Sequence, residues 1–271
     1  MLIVCNGMYR SGSTMQYNLV RNLIEIGGYG KGKGYFEWLS EKDFNELEER
    51  LFKWANSEKF YVIKTHEIIP EIEKVISQKK IIICYTYRDI REMFVSAKRF
   101  LKKDFEELIP IYDKAIDIYF RLRSIDNIIW QKYEDIIINP YLITNNLNEY
   151  ISLEIQTNIV KEAIRQTSLK RSKKAIKEMK IKLRLRDLYL ALKDQKNNKT
   201  SINLTLQKIS EILQNEYEQI ETYDKKTLLH SNHISDDFDK FDRWKEVLSP
   251  LEVKIITERY SSYLLDAGYL L

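Results

Sequence analysis

The segment Gly7-Met8-Tyr9-Arg10-Ser11-Gly12-Ser13-Thr14 follows an apolar run, Leu2-Ile3-Val4-Cys5, and leads straight into residues with helical spacing. A strand joined to a helix through a glycine turn constrains the fold strongly. The helix must pack back over the strand, and the next strand of such a unit joins the sheet in parallel. Two glycines five positions apart let backbone N–H groups curl around an anion, and the start of the helix adds its positive end and unpaired amides. The segment fits the phosphate-loop pattern GxxxxGK[ST] except that Ser13 stands where Lys is required, while Arg10 places a cation inside the loop. A nucleoside triphosphatase uses that Lys on the β and γ phosphates, so its absence argues against ATP or GTP hydrolysis. A glycine turn that binds nothing is the plain alternative for this segment taken alone.

Short apolar runs alternate with longer amphipathic ones through the first half. They predict strands near 2–6, 60–64, 80–86 and 127–132 in a parallel sheet. Thr14–Ile26 reads as the first helix, stopped by Gly27-Gly28. Asp89 with Glu92 three positions on has the form of a capping box and predicts a second helix of about 14 residues. Ser249-Pro250-Leu251-Glu252 opens a C-terminal helix, with Gly268 as its stop. Residues 202–220 carry apolar positions at helical spacing. Ile181, Leu183 and Leu185 alternate with Lys182, Arg184 and Arg186 in a two-residue period that conflicts with its helical flanks, and Lys196–Lys199 reads as a loop.

Charge and cysteine usage narrow the classes further. The 271 residues carry 44 basic and 40 acidic side chains, too even a balance to argue for DNA binding. The basic side chains are concentrated between Lys161 and Arg186, where eleven Lys or Arg meet two Glu for a local net charge of +9. This face is either a solvated helix surface or a mouth that attracts an anion. Cys5 and Cys84 sit in apolar strands and read as buried thiols, and with three His they leave little for zinc. No apolar run approaches the roughly 18 residues that would span a bilayer, and the N-terminus passes from Met1 directly into a strand, so the expected location is the cytoplasm.

Tyr9-Arg10-Ser11-Gly12-Ser13-Thr14 resembles the 5′-phosphosulfate loop of the sulfotransferases that use 3′-phosphoadenosine 5′-phosphosulfate (PAPS), in the Arg-Ser-Gly-Ser-Thr form of several bacterial and carbohydrate members. Cytosolic members carry Lys at the place of Arg10. The run Tyr87 to Ser96 is similar to their 3′-phosphate motif, with Arg88 at the strand end and Ser96 eight positions on. Val62-Ile63-Lys64-Thr65-His66 is similar to the Lys-Thr-His of the cytosolic branch, where the His is the catalytic base. Lys132-Tyr133-Glu134-Asp135 with Asn139-Pro140 resembles the Tyr-Glu-Asp segment, and Thr167-Ser168 the family's Thr-Ser pair, both adenine contacts. Arg243-Trp244-Lys245 resembles the Gly-x-Trp-Lys end segment.

The resemblance implies a single domain over 1–271. Its fold would be the three-layer α/β type of P-loop NTPases, a central parallel sheet flanked by helices, with a helical insertion in the C-terminal half at roughly 180–225. It implies PAPS as co-substrate and 3′,5′-adenosine bisphosphate (PAP) as product, with no metal. The sulfuryl group would pass in line to a hydroxyl or nitrogen of a small-molecule acceptor. His66 would be the general base, Lys64 and Arg10 would stabilise charge, the amides of Ser11, Gly12, Ser13 and Thr14 would hold the 5′-phosphate, and Arg88 and Ser96 the 3′-phosphate. Tyr133 and Thr167 would lie at the adenine.

Two departures bear on this. Met15 replaces the Trp that stacks on adenine in cytosolic members. The Arg-Lys-Gly triplet expected before Trp244 is also missing, leaving Lys240, Arg243 and Lys245 as candidates for the third arm of the 3′-phosphate clamp. Neither a nucleic-acid nor a membrane partner is expected, and the oligomeric state is open. The competing readings are a P-loop small-molecule kinase and a non-enzymatic nucleic-acid module using residues 161–186. The segments Lys31–Trp38 and Arg99–Tyr112, with the insertion, are the expected walls of an acceptor pocket, with Tyr35, Phe36 and Trp38 either lining it or in the core.

Overall fold

A computed structural model of the chain describes residues 1–36, 41–67, 81–126, 128–151, 153–197, 223–230 and 240–270. Among them five strands, β1 (Leu2–Gly7), β2 (Gly30–Tyr35), β3 (Phe60–Lys64), β4 (Ile81–Tyr87) and β5 (Ile128–Lys132), form one sheet in the order β2-β3-β1-β4-β5. Every pairing is parallel. β1 and its neighbour β4 are buried almost throughout, which is why both read as unbroken apolar runs rather than alternating ones. The helices α1 (Ser13–Ile26), α2 (Glu41–Ala55), α3 (Ile90–Leu101), α4 (Phe105–Arg123), α5 (Tyr133–Ile138), α6 (Tyr141–Ile151) and α7 (Thr157–Thr167) follow between and after the strands. Then come α8 (Leu169–Asn197), α9 (Trp244–Val247), α10 (Pro250–Arg259) and α11 (Ser261–Asp266). The result is the expected α/β architecture, a central parallel sheet flanked by helices.

The chain divides into two compact units, Met1–Thr167 with Asp236–Leu271, and Ser168–Ser235. In the first, Leu2, Val4, Ile63, Ile83, Tyr85 and Ile128 join one apolar core with Phe94 of α3, Leu108, Tyr112 and Tyr119 of α4, and Tyr260 and Tyr263 near the C-terminus. Because side chains alternate along a strand, Ile3, Cys5, Val62, Lys64 and Cys84 lie on the opposite face of the sheet. The register sets Cys5 beside both Lys64 and Cys84. In the second unit, α8 runs through the stretch whose two-residue period was ambiguous and continues to Asn197, past the start of the expected loop. Asn127, the end of that loop at Asn198 and Lys199, the apolar positions 202–220, and Trp38 lie outside the described residues.

β2 is the strand that the sequence hides. Gly30-Lys31-Gly32-Lys33-Gly34 has the composition of a loop, and Lys31–Trp38 was expected as a pocket wall. Gly30 and Gly32 leave no room for a side chain: a Cβ on Gly30 would sit 1.7 Å from the backbone oxygen of Phe60, and one on Gly32 2.6 Å from Arg21 Cγ, while Gly34 takes a left-handed φ of 90°. As an edge strand it also exposes amides. Two of these are taken by α1 side chains: Gly34 N donates to Tyr17 Oη at 3.0 Å and Gly32 N to Glu25 Oε1 at 3.0 Å.

The helix starts follow the sequence with one correction. Ser249 and Glu252 form the predicted reciprocal cap at α10, with Pro250 in the first turn. Asp89 caps α3 by accepting from Arg91 N at 2.9 Å, but Glu92 does not close a box there. Its carboxylate is committed elsewhere, within the site described next.

Candidate active site

The glycine loop sits where β1 ends between β3 and β4. Gly7 can hold no other side chain, since a Cβ would lie 2.1 Å from Thr86 Oγ1. Ser11 is buried, its Oγ donating to Met8 O at 2.7 Å and lying 2.9 Å from Thr86 Oγ1, and its amide also turns back to Met8 O. Ser11 therefore braces the loop. Arg10 and Gly12 take positive φ angles of 70° and 91°. The left-handed turn at Gly12 delivers the chain into α1, whose first turn carries neither a side-chain cap nor an acidic residue. The positive end of α1 is thus presented beside buried Ser13 and Thr14.

On one side of this loop stand Lys64 and His66. Lys64 closes β3, and His66 lies just beyond it. His66 Nδ1 is 2.8 Å from Gly7 O; a carbonyl only accepts, so Nδ1 carries the proton and Nε2 presents its lone pair. Lys64 Nζ lies 2.8 Å from that Nε2. The His66 ring stacks on Tyr9 at 4.1 Å, with Tyr35 5.9 Å away, and Tyr35 also lies 4.9 Å under Lys64 Nζ. Burial, reinforced by the Lys64 charge, holds His66 well below the usual imidazole range, so it is neutral at physiological pH. Burial also brings Lys64 down to about 7, with the Arg10 charge adding to the effect and Cys5 opposing it.

On the other side the loop meets the end of β4. Arg10 Nε donates to Ser96 Oγ at 2.9 Å, and its guanidinium lies 4.2 Å over the Phe100 ring. Burial lowers Arg10 to about 10, still cationic at neutral pH. Arg88 is buried, lies 4.0 Å over the Tyr133 ring, and donates from Nη2 to Glu92 Oε2 at 3.1 Å. The same Glu92 oxygen accepts from Arg243 Nε at 3.1 Å and Nη2 at 2.9 Å, while Glu92 Oε1 accepts from Trp244 N at 3.0 Å. Two buried guanidinium groups thus share one carboxylate, and Arg10 lies close enough to feel both of their charges. Arg88 Nε is buried with no hydrogen-bond partner among the described residues. A buried charged donor left unmatched, in a cluster carrying excess positive charge, is the environment of an anion subsite.

The remaining candidates divide. Tyr133 belongs here: its ring packs so closely on the loop that a Cβ on Gly12 would lie 2.5 Å from Tyr133 Cδ2. Thr167 is buried at the far end of α1, where its hydroxyl donates to Ala163 O at 2.8 Å and accepts from Asn22 Nδ2 at 3.1 Å. Of the three C-terminal cations, Arg243 reaches the cluster. Lys245 pairs with Asp242 at the surface, and Lys240 is exposed. Glu92 was missed because its spacing from Asp89 imitates a helix cap; its i,i+4 spacing from Arg88 was the available clue.

No known family profile matches the chain, and no curated protein sequence matches it significantly. Solved structures do. The parallel sheet and its helices define an α/β fold shared with a sulfotransferase and a retinol dehydratase, both crystallised with PAP. Mouse sulfotransferase SULT7A1 complexed with PAP is 12% identical at a TM-score of 0.57, over 97% of this chain and 84% of that one. Two structures of retinol dehydratase, one with androsterone and inactive cofactor PAP and one with retinol and PAP, are each 13% identical with a TM-score of 0.51. They align over 97% of this chain and 80% and 81% of theirs.

Proposed function

We propose that this chain is a PAPS-dependent sulfotransferase that moves the sulfuryl group to a hydroxyl or nitrogen of a small-molecule acceptor. One observation carries the reading: Arg10 of the glycine loop is hydrogen-bonded to Ser96, beside Arg88, while the same loop holds His66 through Gly7 O. Cations for the two ends of one nucleotide and a neutral imidazole therefore converge on a single turn. The unmatched Arg88 Nε and the uncapped start of α1 fit a ligand with two anionic ends. PAP in the crystals of the fold relatives supports the same nucleotide, and androsterone and retinol in two of them support a small-molecule acceptor.

The roles follow from the chemistry. Bound PAPS supplies an activated sulfuryl group on a phosphate leaving group. Gly12, Ser13, Thr14 and Arg10 hold the 5′-phosphate and stabilise negative charge there; Ser11 shapes the turn for them. Arg10 acts through its charge and its hydrogen bonds, since it stays protonated at neutral pH. Arg88, Ser96 and Arg243 take the 3′-phosphate, so that Arg243 stands in for the missing triplet. Tyr133 lies at the base. His66 accepts the acceptor's proton at Nε2, and Lys64, adjacent to that atom, donates to the developing charge.

The decisive experiment is calorimetric titration with PAP and with ATP–Mg²⁺, followed by turnover of labelled PAPS against a panel of phenols, alcohols and amines. Binding of PAP without ATP–Mg²⁺, together with transfer to one acceptor class, is expected. Tight ATP–Mg²⁺ binding would favour the kinase reading that Ser13 disfavours.

A further inference from the structure

Glu92 is a carboxylate 2% exposed on the first turn of α3, and all four of its hydrogen bonds go to donors that other parts of the chain bring in. It receives Arg88 from the end of β4, both Nε and Nη2 of Arg243, and the backbone N–H of Trp244, the last two from 151 and 152 positions away. The neighbouring contacts hold the same frame. Arg91 packs 4.1 Å over the Trp244 ring, pairs with Asp89 at 2.7 Å and donates to Leu270 O at 2.8 Å, while Tyr263 Oη donates to Arg88 O at 2.6 Å. The Arg88 backbone and the Trp244 ring are thus held by contacts other than Glu92, while the Trp244 N–H itself is a Glu92 partner. The Arg88 guanidinium also lies 4.0 Å over the Tyr133 ring, but Glu92 is the partner it shares with Arg243, and so it sets the two guanidinium groups relative to one another. It takes the Nε and Nη2 edge of Arg243 but Nη2 alone of Arg88, whose Nε has no hydrogen-bond partner among the described residues. Its single negative charge also leaves the pair with a net positive charge.

We propose that Glu92 is the positioning residue for the 3′-phosphate. By aligning Arg88 and Arg243 it makes the site prefer an adenosine 3′,5′-bisphosphate over the 5′-monophosphate, an inference that rests on the nucleotide reading above. Glu92 makes no hydrogen bond to Arg10, Gly12 or the start of α1, so its effect should fall mainly on the 3′-phosphate.

The test compares the affinities of PAP and adenosine 5′-monophosphate by calorimetry in the full-length protein and in Glu92→Gln and Glu92→Asp. Glu92→Gln keeps the shape and removes the charge. It is expected to weaken PAP about tenfold while 5′-monophosphate affinity stays within about twofold. Glu92→Asp keeps the charge but is too short to span Arg88, Arg243 and Trp244 N together, and is expected to lower the PAP preference at least about threefold. The charge it retains makes it the deciding variant if Glu92→Gln does not fold. An unchanged ratio of the two affinities in the folded variants, including an equal loss of both ligands, would overturn the assignment and leave Glu92 as a structural ion-pair partner. A parent protein that fails to prefer PAP to the monophosphate would instead overturn the nucleotide reading, which keeps the two failures distinct.

Discussion

Lys64 Nζ lies 2.8 Å from His66 Nε2, and both groups are held toward their neutral forms by burial. An unfolded Lys keeps its proton to about 10.4. In the folded protein Lys64 loses it near 7. Between those values the unfolded state binds more protons, so this group makes stability rise with pH across that window. Lys64→Met should therefore stabilise the protein most at and below pH 7, and the gain should shrink toward pH 10; urea unfolding at pH 6 and 9.5 measures it. A gain that is the same at both pH values would contradict the burial of a charge at this position. For the active protein, kcat/KM should be flat on the acid side near pH 6.5, because His66 is already neutral there, and should fall above about 7 as Lys64 loses its proton.

His66→Ala and Arg88→Ala should separate chemistry from binding. The first removes the proposed proton acceptor and should abolish turnover, with PAP affinity little changed. The second removes a buried partner of Glu92 and the proposed 3′-phosphate contact, and should weaken PAP by about 2 to 4 kcal/mol. Turnover that survives in His66→Ala would show that another group accepts the proton.

Gly12→Ala and Gly28→Ala place the same methyl on two positive-φ glycines, at 91° and 73°. At Gly28 nothing lies within 4 Å of the added Cβ, so the cost is the backbone strain of about 1–2 kcal/mol. At Gly12 the Cβ meets the Tyr133 ring, adding about 1–3 kcal/mol of overpacking. Thermal unfolding should rank Gly12→Ala as the less stable variant. It alone should also lose PAP binding, since it displaces Tyr133 from Arg88 and the loop.

Thr167→Ala tests whether that hydroxyl serves the nucleotide or the fold. Both of its hydrogen bonds are made within the protein, to Ala163 O and Asn22. The expected result is a stability loss of about 1 kcal/mol with PAP affinity within a factor of about two. A selective loss of PAP affinity would instead support the adenine contact that the family resemblance implies.

The strand ends, the glycine loop and the positions of Lys64, His66, Arg88 and Ser96 were legible in the sequence because each depends on local rules. A buried parallel strand shows as an apolar run, a phosphate-type turn needs glycines at fixed spacing, and two residues past a strand end keep their face. β2 was not legible, because Gly30 and Gly32 answer to Phe60 and Arg21 in other elements of the fold, while Gly34 answers to its own positive φ. Glu92 was misread for a related reason: a Glu three positions after an Asp looks the same whether it closes a helix cap or reaches an Arg 151 residues away.

The sequence by itself determined which candidate groups this chain brings to the strand ends, since the loop cation, the strand-end Arg and the Lys-Thr-His run are fixed by residue type and order. Only the tertiary structure decided which basic residue of the C-terminal segment joins them and how far burial shifts Lys64 and His66 toward their neutral forms. Arg243 reaches Glu92 while Lys240 and Lys245 do not, and Lys64 titrates near 7, because charge pairing and desolvation depend on what surrounds a side chain in space and not on its neighbours along the chain.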